Sequence, residues 1–115
     1  MGMPPPFVCP APHVVDGDTL KCGATRVRLA RVDAPELPGH CRRGRRCAPG
    51  DGQASKSALT RFIAGRTLRC APVPYIDGAR TAHDRYGRIV ARCTVAGVDV
   101  GGWMIANGWA VRWPR

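Results

Sequence analysis

The stretch His13-Val14-Val15-Asp16-Gly17-Asp18-Thr19-Leu20-Lys21-Cys22-Gly23-Ala24-Thr25-Arg26-Val27-Arg28-Leu29-Ala30-Arg31-Val32 decides the fold. Short β-branched runs flank Asp16-Gly17, a two-residue hairpin signal, and Gly23-Ala24 supplies a second turn. The segment reads as three antiparallel strands in a meander, the third running from Thr25 to Val32. Pairing across the second turn brings Asp18, which opens the second strand, close to Asp33, which closes the third. Two ionised carboxylates so placed repel each other unless a cation lies between them. They therefore read as a hard-metal site, with a solvated acid pair as the other reading.

The third strand contains a conflict. Val27 and Leu29 share one parity and Val32 has the other, so strict alternation puts Arg28 and Asp33 on opposite faces. A phase slip at Ala30-Arg31, such as a β-bulge, returns both to one outward face. Pro35 then forces extended chain that presents Glu36 beside the acids.

Working outward, the Pro-rich residues 1–12 are expected to be irregular, with a single domain over 13–115. Ala34 to Gly52 reads as an exposed loop. Asp51 can cap a helix from Gln53 to Ala64, whose Ala54, Ala58, Leu59, Phe62 and Ile63 share one face. Thr67 to Ala71 is a fourth strand. A fifth opens at Arg88, where Ile89, Ala91, Cys93 and Val95 alternate with polar residues, and a short helix spans Gly102 to Asn107. The pattern is mainly β with two short helices, a five-stranded OB-fold barrel; a small open sandwich is the competitor. Arg28 and Arg88 both fall outside the core of such a barrel, so replacing either should leave the fold intact.

A length of 115 residues is one domain, and the net charge of +10, nearly all arginine, concentrates polyanions and favours nucleic acid as a partner. A bare compositional bias toward arginine is the alternative. No apolar run approaches the roughly 18 residues that a membrane span needs. Six cysteines indicate an oxidising compartment; with no Cys-x-x-Cys pair and scattered His13, His40 and His83, disulfides are the better reading than zinc. Cys70 and Cys93 lie on the fourth and fifth strands at comparable distances from their connecting loop, Cys93 with the inward parity of Ile89 and Ala91; Cys41–Cys47 closes a short basic loop, and Cys9–Cys22 follows by elimination. No secretory signal heads the sequence, and a secreted or periplasmic location is expected from the cysteines. Between Cys41 and Cys47, the crowded Arg42, Arg43, Arg45 and Arg46 read as a phosphate clamp, against a merely solvated loop.

Taken in order, Asp16-Gly17-Asp18-Thr19, Val27-Arg28-Leu29, Val32-Asp33-Ala34-Pro35-Glu36 and Asp84-Arg85-Tyr86-Gly87-Arg88 resemble the staphylococcal nuclease (thermonuclease) family. The similarity runs from about Val14 to Ala110. It implies Ca2+ held by Asp18, Asp33 and the Ala34 carbonyl, with Asp16 as a supporting carboxylate behind them. It further implies Glu36 as the base for the attacking water and Arg28 and Arg88 as the phosphate clamps. Arg85 and Tyr86 match residues beside a terminal phosphate pocket. The implied activity is endonucleolytic hydrolysis of DNA and RNA at the 5′ side of the phosphate, leaving 3′-phosphates, with no protein partner implied.

The sequence departs from the family pattern in two places. It ends at Trp113-Pro114-Arg115, where the family's pocket tyrosines and third helix would follow, and the Cys41–Cys47 segment replaces a flexible loop. A non-catalytic OB-fold nucleic-acid-binding module is the rival reading. A small disulfide-rich toxin or inhibitor would leave the ordered motifs unexplained. Having Asp18, Asp33, Glu36, Arg28 and Arg88 all together favours the enzyme.

Overall fold

The meander forms where the hairpin signals require it. Strands β2 (His13–Asp16), β3 (Thr19–Cys22) and β4 (Thr25–Leu29) pair antiparallel, with Leu20 opposite Val27 and Lys21 opposite Arg26. Leu20, Val27 and Leu29 are buried while Lys21 and Arg26 are exposed, so the period-2 pattern sets which face is core. The structure, a computed structural model, describes residues 3–114; Met1, Gly2 and Arg115 lie outside the described residues.

Beyond Leu29 the expected single strand is broken in two. Arg31 takes the left-handed region at φ 63°, which costs a non-glycine residue about 1–2 kcal/mol. Strand β5 (Val32–Asp33) thereby leaves the main sheet and pairs with the later strand β9 (Val111–Arg112), Asp33 opposite Val111. The slip inferred from the valine parity is thus a bend between two sheets and not a bulge within one strand. Two bonds fix it, Ala30 N–H to Ala91 O at 2.9 Å and Trp113 N–H to Arg31 O at 3.1 Å. The register shift that does occur within a strand lies between Val14 and Asp16.

The remaining elements are β1 (Phe7–Cys9), α1 (Gly52–Ile63), β6 (Leu68–Pro72), β7 (Ile89–Val95), β8 (Val98–Asp99) and α2 (Val100–Ala106). The main sheet runs β1-β6-β7-β4-β3-β2, with β4 parallel to β7 and β8 hung on β7. Among the described residues, nine strands therefore replace the five expected. The additions are a short edge strand and three two-residue strands, too brief to carry a periodic signal. Residues 7–9, expected to be irregular, form β1 because the prolines stand ahead of the strand and not within it. Arg88 precedes β7 instead of opening it.

The sheet curls into a half-barrel whose path ends at β1 and β2, and the Cys9–Cys22 disulfide joins β1 to β3 across that opening. Inside lie Leu20, Leu29, Leu59, Leu68, Val100 and Met104, each contributing about 1.5–3 kcal/mol by burial. Helix α1 covers β2 and α2 covers β7 and β5. Asp51 caps α1, its Oδ1 accepting from the N–H groups of Gln53 and Ala54 at 2.9 and 3.2 Å. The segment between β5 and α1 is mostly exposed, as expected, but Ala34, Pro35 and Ala48 are buried beneath it. The disulfides Cys41–Cys47 and Cys70–Cys93 complete three bridges, the latter across paired β6 and β7.

Candidate active site

The β2–β3 turn sits where it does because Gly17 has no side chain. A Cβ there would overlap Ser55 Oγ and lie 2.6 Å from Ala34 Cβ. Ser55, fully buried on α1, donates its hydroxyl to Trp109 O at 2.8 Å. Helix α1, the turn and the start of the long loop are thus packed against one another. Asp18 emerges from this turn almost buried, at 8 % exposure, and Asp33 ends β5 at 6 %. Asp18 Oδ2 accepts the Ala34 N–H at 2.9 Å, which ties the two acidic segments together.

Arg28 reaches across from β4. Its Nη1 lies 3.3 Å from Asp18 Oδ2 and its Nη2 4.0 Å from Asp33 Oδ1. Nη1 also donates to Leu29 O at 3.1 Å and Val32 O at 2.7 Å, so the bend after β4 wraps around this guanidinium. With side-chain exposure of only 15 %, Arg28 is more enclosed than the sequence implied, and its loss would disturb the fold.

Arg88 arrives from the other side. Its Nη1 donates to Thr19 Oγ1 at 3.3 Å, and the Thr19 hydroxyl in turn donates to Asp18 Oδ1 at 3.1 Å. Thr19 stands opposite Arg28 in the β3–β4 ladder. One hydroxyl therefore links the acidic corner to the second arginine, and both guanidinium groups border the same patch.

Asp84 fixes the loop that carries Arg88. Its Oδ1 accepts the N–H groups of Tyr86 and Arg88 at 2.9 and 3.0 Å, and its Oδ2 accepts Arg88 Nε at 2.8 Å. Burial alone would raise this carboxyl. The Arg88 N–H, the Arg88 charge and guanidinium, and the Tyr86 N–H outweigh it and hold the group below its ordinary 3.8. Arg26 Nη2 donates to Tyr86 O, fastening the loop to β4. The guanidinium groups of Arg85 and Arg88 lie 5.3 and 5.2 Å from the Tyr86 ring centre.

The acid corner carries concentrated negative charge. Burial first, then the charge of Asp18, a side-chain hydrogen bond with it and the charge of Glu36, push the Asp16 carboxyl from 3.8 up to about 7. The Asp18 N–H, donating to Asp16 Oδ1 at 3.1 Å, opposes that rise. Among the described residues no three His, Cys, Asp or Glu side chains converge as a metal-ligand cluster. A cation here would take the Asp18 and Asp33 carboxylates plus main-chain oxygen. The corner fits a hard cation in charge and in its all-oxygen donors.

Glu36 is half-buried, and Arg45 Nη2 lies 3.6 Å from its Oε1. The main chain of Glu36 is set by α1: a Cβ on Gly52 would overlap the Glu36 carbonyl and lie 2.8 Å from Leu37 N. Of the loop arginines, Arg45 is thus directed to Glu36, while Arg42, Arg43 and Arg46 are exposed on the Cys41–Cys47 loop. Sequence reasoning missed Arg26, Gly52 and Ser55 altogether, and placed Gly17, Thr19 and Asp84 in motifs without giving their side chains or space a role in building the site. Asp84 left a readable signal of its role, an Asx turn ahead of Gly87.

The comparisons with known proteins bear on the family of the chain. The model of the family described as staphylococcal nuclease homologue matches residues 26–114. Among curated proteins, the succinoglycan biosynthesis protein ExoI of Rhizobium meliloti (strain 1021) is 41% identical over 100 residues. That alignment covers 85% of this chain and 48% of the relative, so the chain spans about half the length of the curated protein it matches. A match over most of the chain, on a curled β-sheet with two helices, establishes the lineage: the chain belongs to the family of staphylococcal nuclease homologues.

Proposed function

We propose that the chain is a calcium-dependent endonuclease that hydrolyses phosphodiester bonds of DNA and RNA at the 5′ side of the phosphate, leaving 3′-phosphate ends. The observation that carries this reading is the Thr19 hydroxyl, bonded at once to Asp18 and Arg88 and opposite Arg28 in the ladder. It draws acids and arginines from three separate segments to one patch, a combination that a binding surface alone would not need. Asp18, Asp33 and the Ala34 carbonyl would hold calcium, with Asp16 behind them, and calcium would supply charge screening and orientation of the phosphate.

Arg28 and Arg88 donate paired N–H groups to the scissile phosphate and stabilise the charge that builds on its oxygens. Glu36 takes the proton from the attacking water as the bond to the 5′-oxygen breaks. Arg85 and Tyr86 receive the terminal phosphate, and the Arg42, Arg43, Arg45 and Arg46 loop approaches the strand beyond the site. The three disulfides support a secreted or periplasmic location.

The name of the relative refers to succinoglycan biosynthesis and to no nuclease activity, which keeps a non-catalytic nucleic-acid-binding module as the second reading. Incubation of plasmid DNA and of RNA with the protein in calcium, then with excess EDTA, then with calcium restored, separates the two. Cleavage that EDTA stops and calcium restarts, and that Glu36→Gln lacks, is expected. Intact nucleic acid that is nonetheless retarded on a gel would establish the binding module instead.

A further inference from the structure

The Cys41–Cys47 loop does more than add charge near the site. Its Arg45 N–H donates to Arg42 O at 3.0 Å, a tight turn inside the disulfide-closed ring, and from that turn Arg45 Nη2 reaches Glu36 Oε1 at 3.6 Å. Glu36 is constrained at both ends, its main chain by the close approach of Gly52 and its carboxylate by Arg45. The guanidinium beside Oε1 occupies space from which a water would approach that oxygen, so Arg45 has to move aside for Oε1 to accept a water proton.

The contact is built to be exchanged. The Arg45 side chain is 51% exposed, against 22% for Glu36, so the guanidinium meets solvent and anything that approaches from it. Exposed pairs of this kind are weak, while a phosphate offers a guanidinium two parallel charge-assisted bonds. Arg42, Arg43 and Arg46, exposed beside it, draw a polyanion to the same ring. The disulfide keeps the ring short, which limits how far Arg45 can stray and lowers the entropy lost when it engages a phosphate.

We propose that Arg45 is a specificity-determining residue that makes the site favour nucleic acids long enough to reach the Cys41–Cys47 loop. In the free protein its guanidinium engages Glu36. A phosphate of a long strand takes the guanidinium and frees the carboxylate, whereas a dinucleotide at the scissile position leaves the pair in place. This inference rests on the nuclease reading, and it makes Arg45 a positioning residue that acts through Glu36.

The test compares hydrolysis of a dinucleotide and of a long single-stranded oligonucleotide, in calcium, by the wild type, Arg45→Ser, Arg45→Lys and Cys41→Ser/Cys47→Ser. Arg45→Ser should raise kcat on the dinucleotide about two- to fivefold, the factor an exposed pair commands. On the long strand it should raise KM with little change in kcat, and its log–log salt slope should flatten by about 0.7, the share of one contact. Arg45→Lys, which keeps the charge but not the two parallel bonds, should retain only part of the wild-type length preference, and the double serine variant should move with Arg45→Ser. A fall in dinucleotide kcat for Arg45→Ser, or an unchanged length preference, would overturn the proposal.

A second measurement does not need turnover. In metal-free buffer with EDTA, the Arg45 Nε–Hε resonance should shift in Glu36→Gln and on addition of the long oligonucleotide, but not of the dinucleotide. If the wild type cleaves neither substrate in calcium, the nuclease reading fails by itself. An Arg45 resonance indifferent to the long strand then removes this inference as well.

Discussion

Gly52 and Glu36 meet through their main chains: a Cβ added to Gly52 would collide with the Glu36 carbonyl and stand 2.8 Å from Leu37 N. The first turn of α1 therefore sets the position of Glu36, and the small residue is required by space and not by backbone conformation. Gly52→Ala should destabilise the protein by about 1–3 kcal/mol, since the obstacle is backbone that cannot rotate away. Helix propensity pulls the other way by up to about 1 kcal/mol, so the sign of the change is informative. Urea melts should show a lower midpoint, with turnover reduced further than the loss of folded protein explains. A more stable Gly52→Ala protein would mean that α1 stands farther from this loop.

Asp84 couples the Arg88 loop to pH. Its carboxyl is lowered from 3.8 in the folded protein, so its contribution to stability is fully present above the unfolded value. That contribution is lost as pH falls below 3.8 and through the lower folded value. Asp84→Asn keeps an acceptor for the N–H groups of Tyr86 and Arg88 but removes the charge facing Arg88 Nε. The variant should be less stable than wild type by about 1–2 kcal/mol near neutral pH, and the gap should close in acid below 3.8. A gap that persists there would assign the effect to the turn and not to the ion pair.

Much of this arrangement was legible because it depends on local pattern. The Asp16-Gly17 and Gly23-Ala24 turns set the meander, and the parity conflict between Leu29 and Val32 pointed to a discontinuity at Ala30-Arg31, where Arg31 turns left-handed. Strand β1 was hidden by three prolines immediately before it, and the β5–β9 ladder has two residues per strand, too few for any period. The roles of Gly17 and Gly52 were out of reach for another reason. Each is fixed by a neighbour brought up by the tertiary fold, Ser55 and the Glu36 carbonyl, and a sequence does not state how close two segments approach. The Arg45–Glu36 contact belongs to the same class.

The disulfides should differ in what they stabilise. Cys9–Cys22 closes a separation of 13 residues and joins edge strand β1 to β3 across the opening of the curled sheet, with Cys9 buried. Replacing both cysteines with alanine should cost about 2–4 kcal/mol, because the unfolded chain regains freedom that the folded sheet does not. Cys41–Cys47 closes only 6 residues of exposed loop. There the folded protein gains freedom too, so Cys41→Ala/Cys47→Ala should cost about 1 kcal/mol or less. Thermal melts of the two double variants compare them directly, and equal losses would show that the basic loop is part of the cooperative fold.

Arg28 and Arg88 separate structure from chemistry. Arg28 lies against Asp18 and Asp33, both nearly buried, and satisfies the carbonyls of Leu29 and Val32. Removing one member of such a buried pair costs about 3–5 kcal/mol, so Arg28→Ala should melt well below wild type in EDTA. Calcium at about a hundred times its dissociation constant would stabilise wild type and variant alike by about 2.7 kcal/mol, so both melts should rise when the chelator is replaced by the metal. Arg88, at 22% exposure and bonded to Asp84 and Thr19, should lose far less stability on truncation. Both variants should lose about 10²–10³ in turnover as donors to the developing charge. An Arg28→Ala protein as stable as wild type in EDTA would mean that the acids do not depend on this guanidinium. A melt that ignores calcium would remove the metal from Asp18 and Asp33.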